Sequence, residues 1–228
     1  MDPPWPNRSV RRSGHYQTHH YSEMEMLTTG LKDILRAHLL LDSNQGDSDQ
    51  GDACASAAPA PMHSGKSIAA IWITNAEKSR RAAYEALVGA GLRIREEWVW
   101  VKTTWDGEPI SALDGLWRKP YEILVIGSKG GDYSDLDMGM GMEMGEEDLT
   151  RLSEAVTTRR VIAAVPDLHS RKPNLKALFE EAFLTSDGQL CSYSALEVFA
   201  RNLTAGWWGV GDEVLRFNKR ECWIESDQ

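Results

Sequence analysis

An α/β fold, with a largely parallel sheet and helices on both faces, is predicted by three features of the sequence. Short, β-branched apolar runs recur along the chain, and segments with three- and four-residue apolar spacing lie between them. The 228 residues, 42% of them apolar, suffice for the core of one domain spanning 1–228, with little left for a second.

The runs Ile68–Thr74, Trp98–Lys102, Tyr121–Ile126 and Val161–Val165 are mostly too short and too β-branched for helices. They read as buried strands, with Leu196–Ala200 as a fifth. Helices are predicted over Ser22–Leu41, Ala76–Val88 and Asn174–Phe183, and Gly89 and Gly91 supply the stop after the second. In such sheets ligands bind beyond the carboxyl ends of the strands, so functional loops should follow strands.

The formal net charge of −9 argues against a polyanionic partner until its distribution is examined. Segments 42–66 and 129–148 together hold eleven acids against Lys66 and Lys129, which accounts for the whole excess; the remainder balances at 23 acids and 23 bases. Both segments, rich in Gly, Ser, Asp, Ala or Met, are expected to be disordered acidic insertions. Arg8, Arg11 and Arg12 cluster with no acid before Glu23. No apolar stretch approaches the length of a membrane span, and the start at Met1 lacks the regions of a signal peptide, so a soluble intracellular protein is expected. Cys54, Cys191 and Cys222 lack paired spacing and predict neither a disulfide framework nor a cysteine-ligated metal. His15, His19 and His20 have no ligand partners at suitable spacing, and Ser64-Gly65-Lys66-Ser67 lacks the first glycine and the helix of a phosphate loop.

The most distinctive tetrapeptide is Asp2-Pro3-Pro4-Trp5. It offers a carboxylate, a proline carbonyl whose aim is set by fixed φ angles, and an aromatic face. These groups suit an exocyclic amine such as N6 of adenine, whose lone pair is freed when acceptors take both amino hydrogens while the ring is stacked. A Pro-rich terminus with an incidental tryptophan reads equally well from the tetrapeptide alone.

Seven further motifs follow it in order: Asn7-Arg8-Ser9-Val10 with Arg12-Ser13, Ile71-Trp72-Ile73-Thr74-Asn75, Trp100-Val101-Lys102, Lys119-Pro120-Tyr121-Glu122, His169-Ser170-Arg171-Lys172-Pro173, Phe199-Ala200-Arg201-Asn202 and Gly206-Trp207. The set resembles the eukaryotic mRNA adenosine methyltransferase family, most of all its methyltransferase-like protein 4 branch. The similarity covers nearly the whole chain apart from the two insertions and the C-terminal tail. It implies a Rossmann-like methyltransferase fold with a permuted, mostly parallel sheet, and S-adenosylmethionine as cofactor. It also implies N6 methylation of adenine in RNA or DNA, no metal, no membrane and, by analogy, a nuclear location.

By the same resemblance Asp2, Pro3, Pro4 and Trp5 form the catalytic loop, with Trp5 stacking on the base. Lys172 lies near the methionine end of the cofactor, and Arg201 and Asn202 lie around its ribose and adenine. Glu122 belongs to the adenine pocket by resemblance, while its residue type is also consistent with a structural pair. Lys172 alone reads equally as a solvated helix start, and Arg201 as a surface ion pair. Lys102 stays open between substrate contact and an edge lysine. Asn7, Arg8, Ser9, Arg11 and Arg12, with Tyr16 nearby, suit a phosphodiester grip. Trp207 and Trp208 read as packing residues.

Two features depart from the family. Gly211-Asp212-Glu213 has aspartate where members have asparagine, although Asp212 can still accept from ribose hydroxyls. The catalytic loop of the family follows a strand, whereas here Met1 stands in its place. A missing N-terminal strand is therefore expected, with Asp2 loosely held, as in a truncated enzyme or a non-catalytic nucleic-acid-binding subunit.

Overall fold

A computed structural model describes residues 1–6, 23–39, 67–115, 119–129, 146–154, 156, 158–168 and 170–222. Helix α1, Met24–Leu39, buries Leu27, Leu31 and Leu35 along one stripe, as its four-residue spacing requires. Strand β1 is Ile68–Ile73 and helix α2 is Glu77–Gly89. The backbone of Leu92 donates to Leu87 O at 3.0 Å and that of Gly91 to Val88 O at 2.8 Å, with Gly91 at φ 79°. This is a Schellman stop, and the positive φ is why glycine stands at 91. Gly89 allows close approach instead, because a Cβ there would meet Lys32 of α1 at 2.8 Å.

Strand β2 runs from Arg93 to Lys102 and β3 from Tyr121 to Ser128. Helix α3 is Glu146–Glu154 and strand β4 is Thr158–Ala164. The open sheet has the order β1-β3-β2-β4. β2 and β4 pair in parallel, while β3 runs antiparallel to both β1 and β2. Three strands therefore share one direction, yet two of the three ladders are antiparallel. The largely parallel sheet expected from the sequence is a mixed one, because a buried apolar run has the same composition in either direction.

Alternation along the strands sorts side chains to two faces. Ile71, Ile73, Ile94, Ile123 and Val125 meet α1, α2 and Leu152 of α3 on one face. Trp72, Trp98, Trp100, Leu124 and Ile126 face the other way, toward Leu175, Phe179 and Phe183. The helix covering that face departs from the expected Asn174–Phe183: one α turn, α4 (Lys176–Phe179), passes into a π-helical turn, Glu180–Leu184. Trp98 stacks on Phe183 at 5.8 Å and tilts against Phe179 at 5.0 Å, so aromatic packing dictates the local winding. A hairpin of β5 (Thr185–Ser186) and β6 (Gln189–Leu190) follows, then a parallel pair, β7 (Leu196–Val198) and β8 (Trp208–Val210).

Two sequence expectations change here. The insertion expected to be disordered through residue 148 ends inside α3, where Glu146, Glu147 and Asp148 occupy the first turn, the end of a helix that favours negative charge. Segment 42–66 lies outside the described residues. β2 begins five residues before the expected Trp98, because its charged half, Arg93–Glu97, is buried in ion pairs rather than solvated. Among the described residues no helix is long and apolar enough to cross a membrane, and Cys191 and Cys222 are free thiols.

Candidate active site at the strand ends

The carboxyl ends of β1, β2 and β4 and the start of β3 share one edge of the sheet. The tetrapeptide is sewn to that edge. The Met1 amine donates to Ala70 O at 2.8 Å and Trp72 N–H donates to Met1 O at 3.0 Å, the register of a parallel partner beside Ile71. On the other side, Asp2 N–H donates to Val198 O of β7 at 3.3 Å. The Trp5 ring is 4% exposed, packed in the core, and its indole N–H donates to Trp72 O at 2.7 Å. Trp5 N–H also donates to Pro3 O at 2.8 Å, which closes a tight turn over Pro4.

Two expectations are corrected by this arrangement. Asp2 does not hang loosely, since backbone bonds on two sides and the anchored Trp5 fix it. The Trp5 ring is committed to the core, so in this structure it presents no open face for stacking.

Asp2 is 9% exposed and Arg201 8%. The Arg201 guanidinium holds Asp2 Oδ2 and donates to Ser170 O at 3.2 Å, and its Nε lies 3.6 Å from Glu213. Lys172 Nζ lies 3.1 Å from Asp2 Oδ1 and 3.0 Å from Glu122 Oε2. Lys102 Nζ takes the other Glu122 oxygen at 2.6 Å, and Arg216 takes Glu213 at 2.6 Å. Acids and bases thus alternate from Lys102 through Glu122, Lys172, Asp2, Arg201 and Glu213 to Arg216. Burial pushes the Glu122 carboxyl up, but the ammonium groups of Lys172 and Lys102 outweigh it and hold its pKa at about 2. Burial disfavours the Lys172 charge, and the Asp2 and Glu122 carboxylates more than restore it, so its pKa stands above the ordinary lysine value.

Five residues expected at the site, Asp2, Lys172, Arg201, Glu122 and Lys102, are therefore joined in one network, and Glu213 adds a sixth. Pro3 is buried beside Asp2 and Pro4 is half-buried. Asn202 lines an adjoining cleft of about 230 Å³ with Trp100, Arg171, Lys172, Pro173 and Asn174. Asp212 is exposed, away from these contacts. Asn7, Arg8, Ser9, Arg11 and Arg12 lie outside the described residues.

The sequence reading passed over Trp72 and Trp100, which looked like core. Their rings meet edge to face at 6.1 Å, with Lys172 Nζ 5.8 Å from one centroid and Lys102 Nζ 5.0 Å from the other. It also missed Glu197 of β7, whose carboxyl is raised by burial and accepts from Thr204 at 3.4 Å. The signal in both cases was position at a strand end, which residue type does not carry. Trp208, expected to pack, is exposed on the outer edge of β8.

The donor set around the cleft suits a small zwitterionic nucleoside. Lys172 and Arg171 offer cations for a carboxylate, Asn174 and Asn202 offer amides for hydroxyl or ring groups, and Trp100 offers a ring. Ser170 Oγ beside them is buried without a hydrogen-bond partner among the described residues. Ser170 (φ 68°) and Phe199 (φ 60°), the residues that place Lys172 and Arg201, both have left-handed backbone. Such strain persists where the surrounding structure enforces it, commonly at functional sites. Among the described residues no cluster of His, Cys, Asp and Glu could hold a metal ion.

An open α/β sheet with an acid-bearing loop held at its strand ends defines the class of domain. A family model described as MT-A70 matches residues 60–213, well over half of the chain, and the chain belongs to the MT-A70 family. It is 35% identical over 237 residues to the N6-methyladenosine RNA methyltransferase MTA1 of Cryphonectria parasitica, covering 99% of this chain and 54% of that protein. It is 34% identical to the protein of the same name from Pyricularia oryzae, covering 100% of this chain and 49% of that one. With the human N(6)-adenine-specific methyltransferase METTL4 the identity is 28%, over 98% of this chain and 38% of that protein. The chain thus spans about half, or less, of the length of these relatives.

Proposed function

We propose that this chain carries the catalytic domain of an S-adenosylmethionine-dependent methyltransferase acting on N6 of adenine in nucleic acid. The observation that carries this reading is the buried Asp2 carboxylate, held at the strand ends between Lys172 and Arg201 and beside a cleft walled by Trp100. The names of the relatives support the reaction, and the Met1 register beside β1 supports the permuted sheet in which the loop follows a strand.

Asp2 would accept one amino hydrogen of the adenine. Pro3 O, which already accepts from Trp5 N–H, would use its second lone pair for the other. The nitrogen lone pair then turns out of conjugation toward the incoming methyl group. Trp100, backed by Trp72, supplies the aromatic wall of the base pocket in place of Trp5. When bound, S-adenosylmethionine supplies an electrophilic methyl group on sulfonium. Lys172, Asn202, Arg201, Glu213 and Asp212 are the residues proposed to hold it, and Arg8, Arg11 and Arg12 to grip the substrate backbone.

The test is incubation of this chain with methyl-labelled S-adenosylmethionine and adenine-containing single strands of RNA and of DNA, followed by digestion to nucleosides. Label in an N6-methylated adenosine from one of the two is expected. Oligonucleotide binding with no label transferred would replace this reading with a non-catalytic, nucleic-acid-binding subunit.

A further inference from the structure

Lys172 is the only group in the network shared by two carboxylates of different standing. Asp2 sits on the loop, whereas Glu122 sits on β3, in register with Trp100 in the middle of the sheet. Lys172 itself lies on the connection from β4 to α4, at the end of a flexible four-carbon stem. A lysine held by Asp2 alone would close fully onto that carboxylate. Here its Nζ stands at nearly equal distances, 3.1 Å from Asp2 and 3.0 Å from Glu122. Glu122 is kept in place by Lys102 at 2.6 Å, from the neighbouring strand, so the pull it exerts comes from a fixed point of the sheet. Neither Glu122 oxygen is without a cation, which argues against the direct contact with adenine that its position first suggested.

We propose that Glu122 is a positioning residue: it holds the Lys172 ammonium midway between itself and Asp2 and thereby preserves the capacity of Asp2 to accept an amino hydrogen. This rests on the catalytic reading of Asp2 given above. Without the Glu122 charge, Lys172 collapses onto Asp2, the acceptor is weakened and Lys172 loses one of the two anions that stabilise its charged form. The direction of the Lys172 shift agrees, since both carboxylates contribute to it.

The test has two arms on the same proteins, wild type, Glu122→Gln and Glu122→Asp. In the first, Lys172 is acetylated at graded pH with trace acetic anhydride and the modified peptide is quantified by mass spectrometry. Glu122→Gln is expected to raise Lys172 labelling at a fixed alkaline pH by about tenfold, the equivalent of one pKa unit, and Glu122→Asp to restore it. In the second, methyl transfer is followed against oligonucleotide concentration, and Glu122→Gln is expected to lower kcat by about tenfold with KM within about twofold. Unchanged Lys172 labelling in Glu122→Gln overturns the proposal. So does a rise in KM with kcat intact, which would make Glu122 a direct base contact. Absence of transfer in the wild type would instead remove the catalytic reading, while the labelling arm still decides whether Glu122 governs Lys172.

Discussion

Two groups of buried carboxylates, one in the body of the sheet and one at its edge, use the same residue types to different ends. In the body, Glu97 is 4% exposed, accepts from Tyr84 OH at 2.8 Å and pairs with Arg80 and with Arg159 at 3.4 Å. Its neighbour Glu96 accepts from Trp98 Nε1 and from Arg160 Nε, both at 2.7 Å. Every partner stands on α2, β2 or β4, and two of them are neutral donors that hold position without charge. At the edge, Asp2 is held by side chains from loops, its neighbours Glu122 and Glu213 pair with cations alone, and a cleft adjoins them. Pairs built on regular elements lock strands together. Pairs reaching in from loops beside a cleft can exchange a partner for a ligand.

The comparison is most strongly tested by Asp2→Asn, which keeps the shape of the side chain and removes its charge. Methyl transfer is expected to fall by about a thousandfold, the scale of losing both an acceptor and an electrostatic contact, with the melting temperature nearly unchanged. A large fall in melting temperature with transfer per folded molecule retained would place Asp2 with the structural group. Glu97→Ala should do the reverse. It leaves Arg80 and the Tyr84 hydroxyl without their buried acceptor and is expected to cost about 3 kcal/mol in urea unfolding, with the activity of folded molecules preserved.

A smaller effect separates the groups by pH. The Glu122 pKa is lowered from 4.5 to about 2 in the folded protein, so its pairing stabilises the fold above the unfolded value and the contribution is lost as pH falls from about 4.5 toward 2. Unfolding free energy measured across that window should decline less steeply in Glu122→Gln than in the wild type. Equal slopes would show that the edge pairs contribute nothing to acid stability.

Much of the fold was legible in the sequence because apolar runs and helical spacing report burial directly. The first half of β2 was not, since Arg93, Arg95, Glu96 and Glu97 look like a solvated loop until their partners on α2 and β4 are known. The direction of β3 was equally hidden. At the site, the network of Asp2, Lys172, Glu122, Lys102 and Arg201 could be anticipated only from several motifs in one order, because each residue alone has a blander reading. The Trp5 ring was misplaced because its burial depends on the Trp72 carbonyl, which no local pattern reveals. Trp72 and Trp100 were missed for the complementary reason: a strand tryptophan at a cleft and one in a core have the same surroundings in sequence.

The central claim, that the edge network serves a cofactor while the body network serves the fold, is tested most directly by calorimetric titration with S-adenosylhomocysteine. Wild type and Tyr84→Phe, which trims the body network, should bind with the same affinity, and Lys172→Met should lose at least about tenfold. Equal affinity in Lys172→Met and wild type would contradict the account.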